Sequence, residues 1–426
     1  MRYFLAAVRM ILVLAHVTGL TVFVVKAQEA DPNSQELPSP PADVGQYFPF
    51  LRKQAEQQRG SMSYLAKDWP SPDDWRRQAR EKMRELLAYA PPACPLNSEI
   101  LETVQKDGYR RLLVRFAITE ERTTEAFLLI PNNLQGKAPA VLALHDHGGF
   151  YYFGKEKVTA TDDPPESLTL HIQTAYGGRT YADELARRGF VVLVPDAFYF
   201  GSQRIDPDKV SKTYTRALDG LTPGTDDFIQ AFNKFAGGHE TLVAKTIFTS
   251  GTTWPGILFH GDRVAVDYLL TRPEVDPERI GCMGLSIGGF RSAHLAGLDS
   301  RIKAAVVAGW MTNYDSLLKD HLRAHTWMIY VPGQLPFLDL PDVASLHAPS
   351  PLLILNCTQD KLFPLSGMQN AESRLQSVYA KLGQPDQFQC DYYDLPHSLT
   401  IPMQNDAIDW LERWLQPEGN RQGQRP

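Results

Sequence analysis

From about residue 98 onward, short runs of Val, Leu, Ile and Phe alternate with stretches whose apolar positions recur at helical spacing. Glu99 to Gln105, Arg111 to Thr119 and Thr124 to Ile130 come first, separated by turn residues, and read as successive strands. Ala138 to Leu144 and Phe190 to Val194 are apolar throughout, as strands covered on both faces are. Arg279 to Met283, Ile302 to Ala308, Leu352 to Asn356 and Phe388 to Tyr393 continue the series. Between them Thr180 to Arg188, Asp262 to Thr271, Gly289 to Ala296, Glu372 to Leu382 and Asn405 to Leu415 fit helices. This alternation predicts an α/β fold, a mostly parallel central sheet with helices on both faces and an antiparallel edge built from the opening strands.

The catalytic domain is expected to span 98–418. Two segments interrupt its alternation, about 200–258 and 312–346, and are expected to act as lids or binding loops at strand ends; surface decoration or a dimer contact is the duller alternative. Residues 46–97 form a helical preface, clearest from Asp73 to Leu87 with an acidic start and a Pro91-Pro92 stop. Residues 28–45, rich in Pro, Ser, Asp and Glu, read as a flexible linker, and 419–426 as a disordered tail. At the start, Arg2 and Arg9 precede an uncharged, mostly apolar run from Met10 to Val25, and Val25-Lys26-Ala27 suits a signal peptidase. Residues 1–27 are thus expected to be a signal peptide, giving a secreted or periplasmic protein; an N-terminal membrane anchor is the alternative.

Composition narrows the partners. The 426 residues carry a formal charge of -6 with no basic block, which argues against nucleic acid. No stable membrane partner is expected after cleavage, and the oligomeric state is left open. Export would permit disulfides among Cys94, Cys282, Cys357 and Cys390, but spacing does not pair them. Cys282 and Cys357 lie in or beside apolar runs and suit small buried hydrophobes.

The chemistry centres on Gly284-Leu285-Ser286-Ile287-Gly288, a G-x-S-x-G pentapeptide between a strand and a helix. A serine on such a turn has its hydroxyl exposed, and small neighbours let the turn close. Serine needs a base to take its proton and a third group to orient that base. Asp360, on the loop after Asn356, and His397, on the loop after Tyr393, follow in the order this arrangement requires. Asp315 is the reserve acid. The developing oxyanion needs fixed donors. These are expected to be the backbone N–H of Ile287 and that of His147 or Gly148, in the loop after Leu144. His145-Asp146-His147 also suits a metal site, but no further ligand cluster has diagnostic spacing, so no metal is assigned. Phe150, Tyr151 and Trp310 are candidates to line the substrate cleft.

With these residues in place, the chain resembles the α/β-hydrolase superfamily, in its dienelactone hydrolase-like and acetyl xylan esterase-like branch. The resemblance rests on Leu144-His145-Asp146-His147-Gly148-Gly149, Gly284 to Gly289, Thr358-Gln359-Asp360, Pro396-His397 and the stretch Val264 to Gly281. It implies Ser286 as nucleophile, Asp360 as orienting acid and His397 as general acid and base, with no cofactor. Dienelactone hydrolases typically carry a cysteine nucleophile, so Ser286 leans toward ordinary carboxylic esters. The expected activity is that of an exported serine carboxylesterase acting on small acyl esters, such as acetylated carbohydrate. A peptidase or amidase on the same fold, or a non-catalytic binding protein, are the rivals.

The leader reading has a direct check. The mature protein is expected to begin at Gln28 on N-terminal sequencing; a chain beginning at Met1 in the membrane fraction would favour the anchor.

Overall fold

The computed structural model describes residues 9–17, 20–28, 41–57 and 60–416. It divides into two units, Met1–Gly45 and Gln46–Pro426. In the first, Arg9–Val17 and Leu20–Gln28 pair as an antiparallel hairpin. The rest of the expected leader, most of the linker and the 419–426 tail lie outside the described residues. No helix among the described residues is long and apolar enough to cross a membrane.

The second unit is built on nine strands: β1 (Glu99–Gln105), β2 (Tyr109–Ala117), β3 (Thr123–Pro131), β4 (Ala138–Leu144), β5 (Val191–Pro195), β6 (Val275–Leu285), β7 (Ile302–Ala308), β8 (Leu352–Cys357) and β9 (Phe388–Tyr393). They form one sheet in the order β9-β8-β7-β6-β4-β5-β3-β2-β1. β1 to β3 pair antiparallel, as does β3 with β5, and the remaining neighbours are parallel. The mostly parallel sheet with an antiparallel edge matches the alternation in the sequence.

The central strands are apolar throughout because both faces are covered. Ala140, Leu142 and Leu144 of β4 pack into one core, while Val141 and Ala143 pack into the other, as a side-chain period of two dictates. After α1 (Phe48–Glu56), which buries no residue, helices supply the cover: α2 (Pro72–Leu87), α3 (Glu166–Tyr176), α4 (Tyr181–Arg187), α5 (Asp226–Thr249), α6 (Trp254–Leu270), α7 (Ile287–Leu298), α8 (Leu365–Lys381) and α9 (Ile401–Leu415), with shorter turns between. Helices α3 and α5 were not expected. Helix α6 starts at Trp254, ahead of the predicted Asp262, and β6 starts at Val275, ahead of Arg279.

The helical preface is part of this body. Ser71 caps α2 by accepting a hydrogen bond from the Asp74 N–H at 3.1 Å. Trp75, Ala79, Met83 and Leu87 recur every four residues and are buried in the core that covers one face of the sheet. On the same helix, Arg80 donates to the Gly297 carbonyl at 2.7 Å and Arg84 to the Leu298 carbonyl at 2.9 Å. These are last-turn carbonyls of α7, which a helix leaves without internal donors. All four cysteines are unpaired, and Cys282 and Cys357 are buried as small hydrophobes.

Sheet order also determines where chemistry can gather. β4 lies beside β6 with Leu144 opposite Gly284, and β6 beside β7 with Leu285 opposite Ala308. The loops leaving β4 and β6 therefore emerge side by side at the carboxyl edge, where ligands meet sheets of this kind.

Removing the α2 anchor measures how far the preface belongs to the core. Trp75 is wholly buried, and its indole N–H donates to the Met62 carbonyl at 3.0 Å. Trp75→Ala is expected to cost about 3–5 kcal/mol in urea unfolding. A cost near zero would place the helix outside the cooperative unit.

Candidate active site

Ser286 sits between β6 and α7 with φ 59° and ψ -119°, a backbone region that disfavours any side chain. Two hydrogen bonds hold it there: its N–H donates to the Ala308 carbonyl, and the Phe290 N–H donates to the Ser286 carbonyl, each at 2.9 Å. Gly284 and Gly288 make the turn possible. A Cβ on Gly284 would lie 2.5 Å from the Leu144 carbonyl oxygen, and one on Gly288 would lie 2.1 Å from it. The end of β4 thus rests against the elbow with no space for a methyl group. Ile287 opens α7, so its N–H is among those a helix cannot satisfy internally.

The loop after β4 is held from below by a buried cation. Lys157 Nζ donates to the Asp146 carbonyl at 2.8 Å and to the His147 carbonyl at 3.1 Å. In a planar trans peptide the N–H points opposite to the carbonyl. The N–H groups of His147 and Gly148 are consequently turned away from Lys157. Neighbouring donors are occupied: Asp146 N–H donates to Tyr176 Oη, Gly149 N–H to His147 Nδ1 and Phe150 N–H to the His147 carbonyl. Among the described residues, the His147 and Gly148 N–H groups have no internal acceptor. Burial pushes the Lys157 ammonium down to about 8, against the pull of Asp146 and Asp196.

The side chains of His145-Asp146-His147 diverge to separate partners. His145 is fully buried, with Nδ1 on the Asp146 carbonyl at 2.9 Å and Nε2 accepting from the Ala197 N–H at 3.1 Å. Burial, with Lys157 and Arg291 nearby, holds its pKa well below the usual imidazole value. Asp146 Oδ1 accepts from Tyr176 Oη at 2.7 Å and faces His171 Nε2 at 3.1 Å. Burial opposes ionisation of Asp146, but His171, Lys157 and these hydrogen bonds outweigh it and keep its pKa well below the carboxylate range. His147 Nδ1 accepts from Gly149, so its hydrogen sits on Nε2, 2.9 Å from Glu240 Oε1.

Across the cavity, His397 Nδ1 lies 2.6 Å from Asp360 Oδ2. The Asp360 side chain is fully inaccessible, and its Oδ1 accepts from the Leu362 N–H at 2.8 Å. Asp360 leaves the end of β8 and His397 the end of β9. Of the two carboxylates considered, Asp360 is the one paired with the histidine. Ser286 and His397 line one cavity of about 510 Å³, together with Asp146, His147, Gly148 and Tyr151. A serine on a strained turn, a carboxylate-held imidazole and backbone N–H groups without internal acceptors thus meet around one space, an arrangement capable of acyl transfer.

A profile of the dienelactone hydrolase family matches residues 124–382, well over half of the chain. The chain belongs to the dienelactone hydrolase family. It is 26% identical, over 80% of its length and all of the relative's, to YtaP of Bacillus subtilis (strain 168), a candidate hydrolase. Solved structures share the fold. A candidate acetyl xylan esterase from Bacteroides fragilis superposes with TM-score 0.61 at 17% identity, covering 82% of this chain and 84% of that one. A glucuronoyl esterase from Solibacter usitatus gives 0.54 at 15%, covering 83% and 97%. These are α/β-hydrolase folds, as the sequence resemblance implied.

Two expected cleft residues of this dienelactone hydrolase family member lie elsewhere. Phe150 turns behind the cavity, where it stacks on His171 at 5.0 Å and packs with Leu168 and Ile229. Trp310 is core, edge-on to Phe290 and Phe363. Aromatic character predicted their burial and could not say on which side of a loop. Tyr151 does line the cavity. The sequence reading missed Glu240 of α5, His171 of α3, and His325 and Thr326 of the second excursion, all of which line it too. Both excursions therefore wall the cavity.

The strained elbow yields a paired expectation. Ser286→Ala keeps a side chain at positive φ, whereas Ser286→Gly releases it, at a smaller cost in unfolded-chain entropy. The glycine variant is expected to be about 1 kcal/mol more stable than the alanine variant in urea unfolding. Equal stabilities would mean an unstrained turn.

Proposed function

We propose that the protein is an exported serine carboxylesterase acting on small acyl esters, acetylated carbohydrate among them. The observation that carries the reading is the short Asp360–His397 hydrogen bond on the same cavity as Ser286. Asp360 accepts from His397 Nδ1, which leaves Nε2 as the basic nitrogen. Ser286 Oγ attacks the ester carbonyl while His397 Nε2 takes its proton. The carbonyl oxygen becomes an oxyanion that accepts from the Ile287 N–H and from the His147 or Gly148 N–H. The tetrahedral intermediate collapses, the C–O bond to the alcohol breaks, and the proton on His397 goes to the departing alkoxide. Water then adds to the acyl-enzyme with His397 again as base, releasing the acid and restoring the serine. Side chains and backbone alone carry every proton and charge in this cycle.

Support comes from two directions. The family is one of hydrolases, and structures of the same fold are named for acetyl xylan and glucuronoyl esters. Ser286, rather than a cysteine, gives an oxygen ester as the acyl-enzyme, suited to ordinary alcohol leaving groups.

Ser286→Ala is expected to lower turnover of a chromogenic acetate ester by about 10⁴- to 10⁶-fold. An organophosphate is expected to form a covalent adduct at Ser286. Unchanged hydrolysis, or no adduct, would remove the nucleophile assignment. Faster turnover of a matched amide than of the ester would instead favour a peptidase.

A further inference from the structure

Glu240 has no part in the cycle above, yet it faces the cavity from the middle of α5 with its side chain only 10% exposed. One of its oxygens, Oε1, takes three hydrogen bonds at 2.9 Å: from His147 Nε2, Tyr151 Oη and Thr326 Oγ1. Burial works against its charge, but the hydrogen bonds from His147, Thr326 and Tyr151 outweigh it and hold its pKa below the usual carboxylate range. Among the described residues, the other oxygen, Oε2, receives no donor.

The rest of the lining has the same character. Asp146 is a second ionised carboxylate on this cavity, and no Lys or Arg lines it. Two buried cations are committed elsewhere, Lys157 to the loop carbonyls and Arg291 to Asp262 at 2.6 Å. Burial pushes His325 down to about 4, so it adds no positive charge near neutral pH. His171 Nε2 faces Asp146 at 3.1 Å, which ties that side chain to the wall. The cavity therefore presents two ionised carboxylates and no Lys or Arg side chain to receive an anion.

We infer that Glu240 and the adjoining wall form a subsite for an uncharged, hydroxyl-bearing part of the substrate, and that Glu240 makes the site reject carboxylates. Hydroxyl groups donate to Oε2, which completes an acceptor that the fold leaves open. A substrate carboxylate would meet a like charge in a partly dry space, where two charges several ångströms apart repel by enough to weaken binding about tenfold or more. This deepens the esterase reading, and its test is framed in binding so that the two can fail separately.

Dissociation constants are measured by NMR titration on Ser286→Ala protein with two ligands, monoacetylated methyl glucoside and monoacetylated methyl glucuronoside. They differ only in a hydroxymethyl group replaced by a carboxylate. The glucoside is expected to bind at least about tenfold tighter. Adding Glu240→Gln, which keeps the size and an acceptor but removes the charge, is expected to bring the ratio to about threefold or less. If that variant does not fold, Thr326→Lys, which brings an ammonium to the Glu240 carboxylate, is expected to erase the preference as well. A ratio untouched by either substitution overturns the inference, as does tighter binding of the glucuronoside. A preserved binding ratio with no ester hydrolysis by the unmodified protein would sink the esterase reading and leave the subsite standing.

Discussion

The site depends on one close contact: the carbonyl of Leu144 against the backbone of Gly284 and Gly288. Strand β4 ends where β6 turns into α7, and the two backbones meet with no room for a Cβ on either glycine. That contact does two things at once. It forces the chain through Ser286 at positive φ, which lifts the side chain out of the turn. It also brings the loop at His147 and Gly148 beside the turn into α7, so that this loop and Ser286 border one space. A sheet in another order would separate them.

Such an arrangement is costly, and the surrounding structure supplies the restraint. Lys157 is buried at a price that shows in its lowered pKa, and it spends its hydrogen bonds on the two carbonyls whose peptide units carry the open N–H groups. Asp146, inside the same loop, is tied by Tyr176 and His171 of α3. On the other side, Arg291 of α7 is buried against Asp262 of α6, with two bonds to one carboxylate oxygen and one to the other. Breaking a buried pair of this kind leaves a charge without compensation, so it restrains α7 strongly whatever its net contribution to stability. Arg80 and Arg84 of α2 fasten the far end of the same helix. The helix that presents Ile287 is thus fixed at both ends, as fixed donors require.

Features set by local chemistry were legible in the sequence. The strands were, because burial on both faces demands unbroken apolar runs, and so was the elbow, because only small residues fit it. Asp360 and His397 were legible because a strand end before each placed it at one edge of the sheet. The second oxyanion donor was not: the choice depends on which N–H groups the loop leaves without acceptors, and that is decided by Lys157 and Tyr176, distant in sequence. Even in the structure both His147 and Gly148 remain open. Glu240 had no local signature at all. It lies in a helix read as part of an excursion, and only the packing of α5 brings it to the cavity. Phe150 and Trp310 failed for the converse reason, since an aromatic side chain signals burial without direction.

These origins divide the cavity by role. Ser286, Asp360, His397 and the loop at His147 all come from strand ends, whose positions the sheet fixes. Glu240, His325 and Thr326 come from the two excursions, whose sequences are free to change without disturbing a single strand pairing. Tyr151 and His147 join the halves, because both touch Glu240 while standing on the loop after β4. A change in the excursions can therefore alter the cavity wall and leave the geometry around Ser286 intact, whereas a change at Leu144, Gly284 or Gly288 cannot. On this division, the strand ends set the geometry around Ser286 and the excursions set the rest of the wall.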